Sequence, residues 1–174
     1  MKKTITPRLL LAAAALLSLC LPASAKEANE ASTSRVTVTF ENPEKFTDVK
    51  DSQIGTDKGR DFYLKEIRQL VEEEAGRLLP TGQKLTITFT DIDLAGDYLP
   101  SMPSGNDIRV IKDIYIPRMK FTYTITDAVG AVVKEGTENL SDMNFMMNPS
   151  IVNRSDPLFY DKAMLRDWLR RAMN

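Results

Sequence analysis

Histidine is missing from this sequence of 174 residues, and cysteine occurs only once, as Cys20. The absence of histidine removes the usual acid and base of neutral pH and the commonest ligand of transition metals. Catalytic pairs of the Ser-His and Cys-His types are therefore excluded. The sequence also has no phosphate-binding glycine loop and no dinucleotide-binding fingerprint. These absences favour a protein without enzymatic activity, and they predict no cofactor.

The first 25 residues have the composition of a cleavable export signal. The short cationic start is formed by Lys2, Lys3 and Arg8. The apolar run that follows, residues 9–21, is shorter than the roughly 20 residues that a membrane-spanning helix needs. Small side chains then occupy Ala23-Ser24-Ala25, so the sequence predicts a signal peptide over residues 1–25 with cleavage after Ala25.

An export signal implies a periplasmic or secreted protein of bacterial type, soluble and without an integral membrane span after cleavage. Leu19 precedes Cys20, where lipoprotein processing requires a small residue, so we expect no lipid anchor. Cys20 would be removed together with the signal peptide. The exported part could then form neither a disulfide nor a thiolate metal site.

The charge balance argues against one class of partner. The chain has 23 Lys and Arg residues against 24 Asp and Glu residues, and three of the cations fall in the predicted signal peptide. A nucleic-acid-binding protein would usually show a basic face instead. We therefore expect no nucleic acid, and a partner that is an unknown envelope protein or a small ligand.

Hydrophobic periodicity predicts the organisation of the exported part. Residues 26–34 are small and polar and predict a flexible leader, and residues 35–174 predict a single α+β domain. Alternating apolar residues predict strands over 35–40, 84–94, 118–126 and 131–140, with a ragged strand over 107–116. Apolar stripes of helical spacing predict helices over 60–79 and from about Asp156 to the C-terminus.

This order, β-α-β-β-β-β-α, predicts a two-layer α+β fold. We expect a mostly antiparallel, twisted sheet of four to five strands with both helices on one face, because that arrangement buries every apolar stripe. The apolar alternation changes phase near Asp91, which predicts a β-bulge or the end of a strand.

Asp91, Asp93 and Asp97 form the carboxylate cluster of the sequence. Residues two apart share a strand face, and Asp97 follows in a loop that contains glycine. Three carboxylates could hold a divalent cation or supply a general acid and base. The alternative is that they cap a strand end and solvate a turn.

Met143, Phe145 and Met146 form a second candidate site, within the irregular stretch 141–155. Thioethers can bind Cu(I) where thiolates are missing. Methionines more often serve as adaptable packing or as part of an exposed surface that binds a partner.

The chain resembles a family of exported bacterial proteins known as domain of unknown function 3016. The resemblance covers roughly Val36 to Arg171. It depends on the segments VTFENPEKFTD, LPTGQKL, TDIDLAGDY, DIRVIKDIYIPRMKF, ENLSDMNFM and DPLFYDKAMLRDW and on the D-x-x-G turn at Asp127–Gly130. Membership implies a secreted or periplasmic domain of one compact type, with no established activity or catalytic residue to carry over.

Two functions therefore remain open. The first is a non-enzymatic binding or envelope accessory protein, because the usual catalytic residues are missing and three long loops interrupt the scaffold. The alternative is a carboxylate-dependent hydrolase or a divalent-cation-binding protein centred on Asp91, Asp93 and Asp97.

Overall fold

Two helices and six strands form in the computed structural model, which describes residues 34–98, 108–147 and 156–173. The predicted signal peptide, its cleavage site and nearly all of the predicted leader lie outside these residues. The elements in chain order are β1 (Val36–Phe40), α1 (Asp57–Leu78), β2 (Lys84–Asp93), β3 (Asp97–Tyr98), β4 (Arg109–Val110), β5 (Arg118–Thr126), β6 (Val132–Ser141) and α2 (Phe159–Met173). Short 3-10 turns lie at Pro43–Lys45 and Phe145–Met147.

The main sheet has four strands in the order β1-β2-β5-β6, and β3 and β4 pair with each other separately. The predicted α+β class is confirmed. The sheet is mixed, however, because β1 runs parallel to β2 while β2–β5 and β5–β6 are antiparallel. The helix α1 carries the chain from the end of β1 back to the start of β2, which is the connection that a parallel pair requires.

The predicted strand over 107–116 is wrong for most of its length. Within the described residues only Arg109–Val110 of this segment is a strand, and it pairs with the unpredicted strand Asp97–Tyr98. A turn follows, in which the Tyr115 N–H donates to the Lys112 carbonyl. The apolar side chain of Ile114 is 68% exposed, so its hydrophobicity does not mark a buried strand face.

The predicted β-bulge near Asp91 is confirmed, since the β2–β5 register shifts between Phe89 and Asp91. Before the shift, Ile87 and Phe89 face the helices, and after it Ile92 does so. The bulge therefore turns Asp91 and Asp93 away from the core. It determines which face of the sheet the two carboxylates occupy.

The core lies between the helices and one face of the sheet. The predicted stripes are buried in α1 at Tyr63, Ile67, Leu70 and Val71, and in α2 at Met164, Leu165, Trp168, Leu169 and Ala172. Trp168 packs edge-on against Phe121 and Tyr123 of β5, with ring centroids 4.6 and 5.1 Å apart. This contact fixes α2 over the centre of the sheet.

The start of α1 depends on a close approach between Gly59 and Asp51. The Asp51 carboxylate accepts hydrogen bonds from the Thr56 N–H and hydroxyl, at 2.9 and 2.8 Å, and the Thr56 hydroxyl in turn accepts from the Gly59 N–H. This position brings the Asp51 side chain against Gly59, where a Cβ atom would overlap it. Gly76, in the last turns of the same helix, has open space around it.

The two glycines of α1 should respond to alanine in opposite directions. Gly59→Ala should lower the free energy of unfolding by about 1 kcal/mol or more, because the new Cβ displaces Asp51 and its cap. Gly76→Ala should raise it by about 0.5–1 kcal/mol, because alanine is the better helix former. Urea unfolding of both variants measures this, and a stabilising Gly59→Ala would contradict the close approach.

Candidate functional site

Asp91 and Asp93 lie opposite cations of the neighbouring strand. In the β2–β5 register, Asp91 faces Lys120 and Asp93 faces Arg118. Both pairs form ion pairs of 3.0 Å. Asp91 also accepts from the Thr47 N–H and hydroxyl, at 2.9 and 3.1 Å. Each of these carboxylates is thus neutralised by a cation of the chain itself.

Their surroundings shift the pKa values of the two carboxyl groups in opposite directions. Burial pushes the pKa of Asp91 upward, but the hydrogen bonds from Thr47 and Lys120 outweigh it, and the pKa lies below its usual value. Burial dominates at Asp93 and raises its pKa despite the opposing hydrogen bond from Arg118. Both groups already accept hydrogen bonds from side chains of the chain itself.

Asp93 and Asp97 line one polar cleft of about 200 Å³, with Asp48, Lys50 and Arg118. Asp91 does not line the cleft itself. It accepts a hydrogen bond from the hydroxyl of Thr47, which does line the cleft. The structure thus brings the three predicted aspartates to one region. Nowhere in the described parts of the chain do three or more acidic side chains converge as a metal-binding group.

A buried ion pair contributes to the wall of this cleft through Asp48. Arg109 donates from both terminal nitrogens to Asp48, at 3.0 and 3.2 Å, and both side chains are only 9% exposed. The same guanidinium also donates to the carbonyls of Gly96 and Lys50, at 2.9 and 3.1 Å, and lies over the Tyr98 ring. Burial opposes the charge of Arg109, but Asp48 outweighs burial and raises its pKa. Arg109 therefore joins β4 to two other segments, residues 48–50 and 96–98.

Asp161 of α2 is fully buried beneath the same loops. One of its carboxylate oxygens accepts from the Ala95 N–H at 3.0 Å, and the other has no hydrogen-bond partner within the described residues. Burial raises the pKa of Asp161 to about 7. Sequence reasoning missed this residue. Its spacing of four and seven residues before Leu165 and Trp168 places it on the apolar stripe and could have revealed it.

The second candidate site, Met143, Phe145 and Met146, has one buried residue and two exposed ones. Phe145 is buried and packs edge-on against Tyr160, with ring centroids 4.8 Å apart. Met143 and Met146 are 75% and 48% exposed. None of the three residues lines the polar cleft. Phe145 thus anchors this loop to α2, and the two methionines remain at the surface.

A larger depression lies between α1 and the free edge of the main sheet, and we call it the edge groove. Its volume is about 560 Å³, and it is lined by Val38, Thr39, Phe40, Pro43, Asp61, Leu64, Lys65 and Arg68. The floor is apolar, since Val38 and Leu64 are buried. The rim is charged. Sequence reasoning did not single out this groove, because it forms only when α1 packs beside β1.

The edge groove presents backbone groups as well as side chains. The Arg35 carbonyl accepts from Leu85, and the Glu41 N–H donates to Phe89, so these odd-numbered residues of the β1 segment face β2. Peptide groups alternate in direction along a strand, so those of Val38 and Phe40 point away from β2. Val36 also points away from β2, and the Ser34 hydroxyl bonds to its backbone.

These features define a two-layer α+β protein with a buried charge centre and an open groove at a sheet edge. No helix of the described residues is long and apolar enough to cross a membrane. A family model described as "Protein of unknown function (DUF3016)" matches residues 34–171, and the chain belongs to this family. Comparison with curated proteins and with solved structures gave no match.

Proposed function

We propose that this protein is an exported accessory protein that acts by binding another protein of the cell envelope, without catalysis of its own. The observation that carries the proposal is the edge groove, which combines an apolar floor, a charged rim and a free strand edge. Strand edges beside a helix are a recurrent mode of peptide recognition, because backbone hydrogen bonds supply affinity and the groove supplies specificity.

The state of the carboxylates supports binding over catalysis. A hydrolase or a cation site centred on Asp91, Asp93 and Asp97 needs carboxylate oxygens that are available to a ligand. Lys120 and Arg118 already hold Asp91 and Asp93 as ion pairs. The export signal predicted over residues 1–25 supports an envelope location for the partner.

Site-specific photo-crosslinking in cells tests the proposal. A photoreactive residue replaces Lys65 in the edge groove, or Lys58, which is exposed on the same helix outside the groove. The full chain carries a C-terminal tag, and the adducts are identified by mass spectrometry. We expect one envelope protein to be captured from position 65 and not from position 58. N-terminal sequencing of the same material should begin at Lys26.

A second substitution tests whether capture of the partner depends on the edge groove. Adding Arg68→Glu to the Lys65 crosslinker should reduce capture of the same partner several-fold, because Arg68 lines the groove. Equal adducts from positions 58 and 65, or adducts that ignore Arg68→Glu, would overturn a binding role for the groove.

A further inference from the structure

We infer that the edge groove accepts an extended, acidic segment of its partner, which joins the sheet as a strand beside β1. This inference rests on the proposed function and adds the chemistry and the conformation of the bound segment. It is carried by three features of the described residues: the contrast between the two edges of the sheet, the direction of the β1 peptide groups and the unpaired cations of α1.

The two edge strands differ in how they are protected. The edge strand β6 carries Lys134, Glu135 and Glu138, and its pairing with β5 includes a register shift. Charges and bulges of this kind are the usual means by which proteins prevent strands from adding to an edge. The other edge, β1, has the sequence VTVTF, without charge, proline or bulge. The edge that is chemically open to another strand is therefore β1.

The open edge is short and well defined. Ser34 occupies the outward peptide groups of Val36, through contacts of 2.7 and 3.4 Å. The outward groups of Val38 and Phe40 lie in the part of β1 that lines the edge groove. An added strand would bond to these two residues. This is enough to fix the register of a short segment, since each two-residue step of a strand supplies one donor and one acceptor.

The charged side chains of α1 that line the edge groove indicate the charge of the partner segment that would bind there. Asp61, the acidic residue of the lining, is paired with Arg60 at 3.1 Å. Lys65 and Arg68 are exposed, and the described residues place no carboxylate within salt-bridge distance of either, although Arg68 lies over the Phe40 ring at 5.3 Å. Among the described residues, the groove therefore presents two cations without a carboxylate partner, and acidic side chains complement them.

These features predict a side-chain pattern for the segment. Residues two apart in a strand share a face. On the face toward α1, a central apolar side chain would pack against Phe40 and Leu64, and acidic side chains two positions before and after it would reach Lys65 and Arg68. The other face would continue the threonine-rich open surface of β1, at Thr37 and Thr39.

Short peptides with blocked ends test this pattern on the purified protein. The probe is acetyl-Thr-Glu-Thr-Val-Thr-Glu-Thr-amide, and the matched control has Lys in place of each Glu. We expect the acidic peptide to bind roughly tenfold more tightly at low salt, as two partly exposed ion pairs allow. The difference should shrink as salt is added, since exposed charges are screened.

Charge reversal and backbone methylation separate the two parts of the inference. The double variant K65E/R68E should favour the Lys peptide, whereas K58E, with the same type of change outside the groove, should keep the original preference. Every second backbone amide of the bound peptide would face β1. N-methylation of that set should abolish binding, whereas N-methylation of the other set should not. Amide exchange measured by NMR should show that the peptide protects the Val38 N–H, while that of Thr39 is already protected by β2.

Equal binding of the acidic and basic peptides would overturn the acidic chemistry, and an unchanged Val38 amide would overturn strand addition. Either result, together with partner capture from position 65 in cells, would leave the proposed binding function standing. Failure of crosslinking from position 65 would remove the proposed function itself.

Discussion

Arg109→Met should lower the free energy of unfolding by about 3 kcal/mol, because it leaves the buried Asp48 with only the more distant Lys50, at 3.9 Å, as a cation partner. The loss includes the hydrogen bonds that Arg109 donates to the carbonyls of Gly96 and Lys50. Methionine keeps most of the side-chain volume, so the effect reports the charge and its hydrogen bonds rather than a cavity. Urea unfolding followed by circular dichroism measures it.

Arg118→Met is the matched control, since Arg118 forms the same type of pair with Asp93 at the same distance, 3.0 Å. That pair is more exposed, at 49% for the Arg118 side chain and 23% for the Asp93 side chain. Exposed pairs contribute at most about 1 kcal/mol, because water and salt screen them. If the two variants lost similar stability, Arg109 would not be the buried centre that the structure shows.

Asp161→Asn should remove a pH dependence of stability. Burial raises the pKa of Asp161 to about 7 in the folded protein, above the usual value of 3.8. Between these values the folded state holds a proton that the unfolded state has released. Asp161 therefore makes the wild-type protein less stable as pH rises from about 4 to about 7, by up to about 4 kcal/mol, with no further loss above that range.

The difference between the variant and the wild type isolates Asp161 from other groups. Arg109 lowers and Asp93 raises the pKa of Asp161, and both effects are smaller than that of burial. The asparagine amide oxygen can still accept from the Ala95 N–H, so Asp161→Asn should gain stability over the wild type as pH rises from about 5 to 8. Asp161→Ala loses this bond and should be less stable than Asp161→Asn throughout. Stability curves of wild type and Asp161→Asn that stay parallel across this range would contradict the raised pKa.

The elements that the sequence predicted well are those with strong periodicity. The two amphipathic helices, the hairpin of β5 and β6 and the bulge near Asp91 all follow from local patterns of apolar residues. The predicted strand over 107–116 failed because its apolar residues do not share a buried face. The parallel pairing of β1 with β2 went unpredicted because periodicity does not report strand direction.

The candidate site shows the same division between local and long-range information. Period-two spacing placed Asp91 and Asp93 on one face, but it did not reveal Lys120 and Arg118, which lie in another strand. The pair of Asp48 with Arg109 joins residues that are 61 positions apart. Such a contact depends on tertiary packing. The predicted roles of Asp91, Asp93, Asp97, Met143, Phe145 and Met146 in binding remain predictions.

Arg35 has a consequence for the order in which the fold can assemble. Its guanidinium donates to the carbonyl of Gly76 at 2.6 Å and to that of Leu79 at 3.1 Å, across 41 and 44 positions of sequence. These acceptors lie at the C-terminal end of α1, where unpaired carbonyls attract a cation. The residue before β1 is thus bonded to the C-terminal end of α1. Closing so long a segment is slow compared with forming the helix. We therefore expect the edge groove, which needs β1 beside α1, to form late in folding.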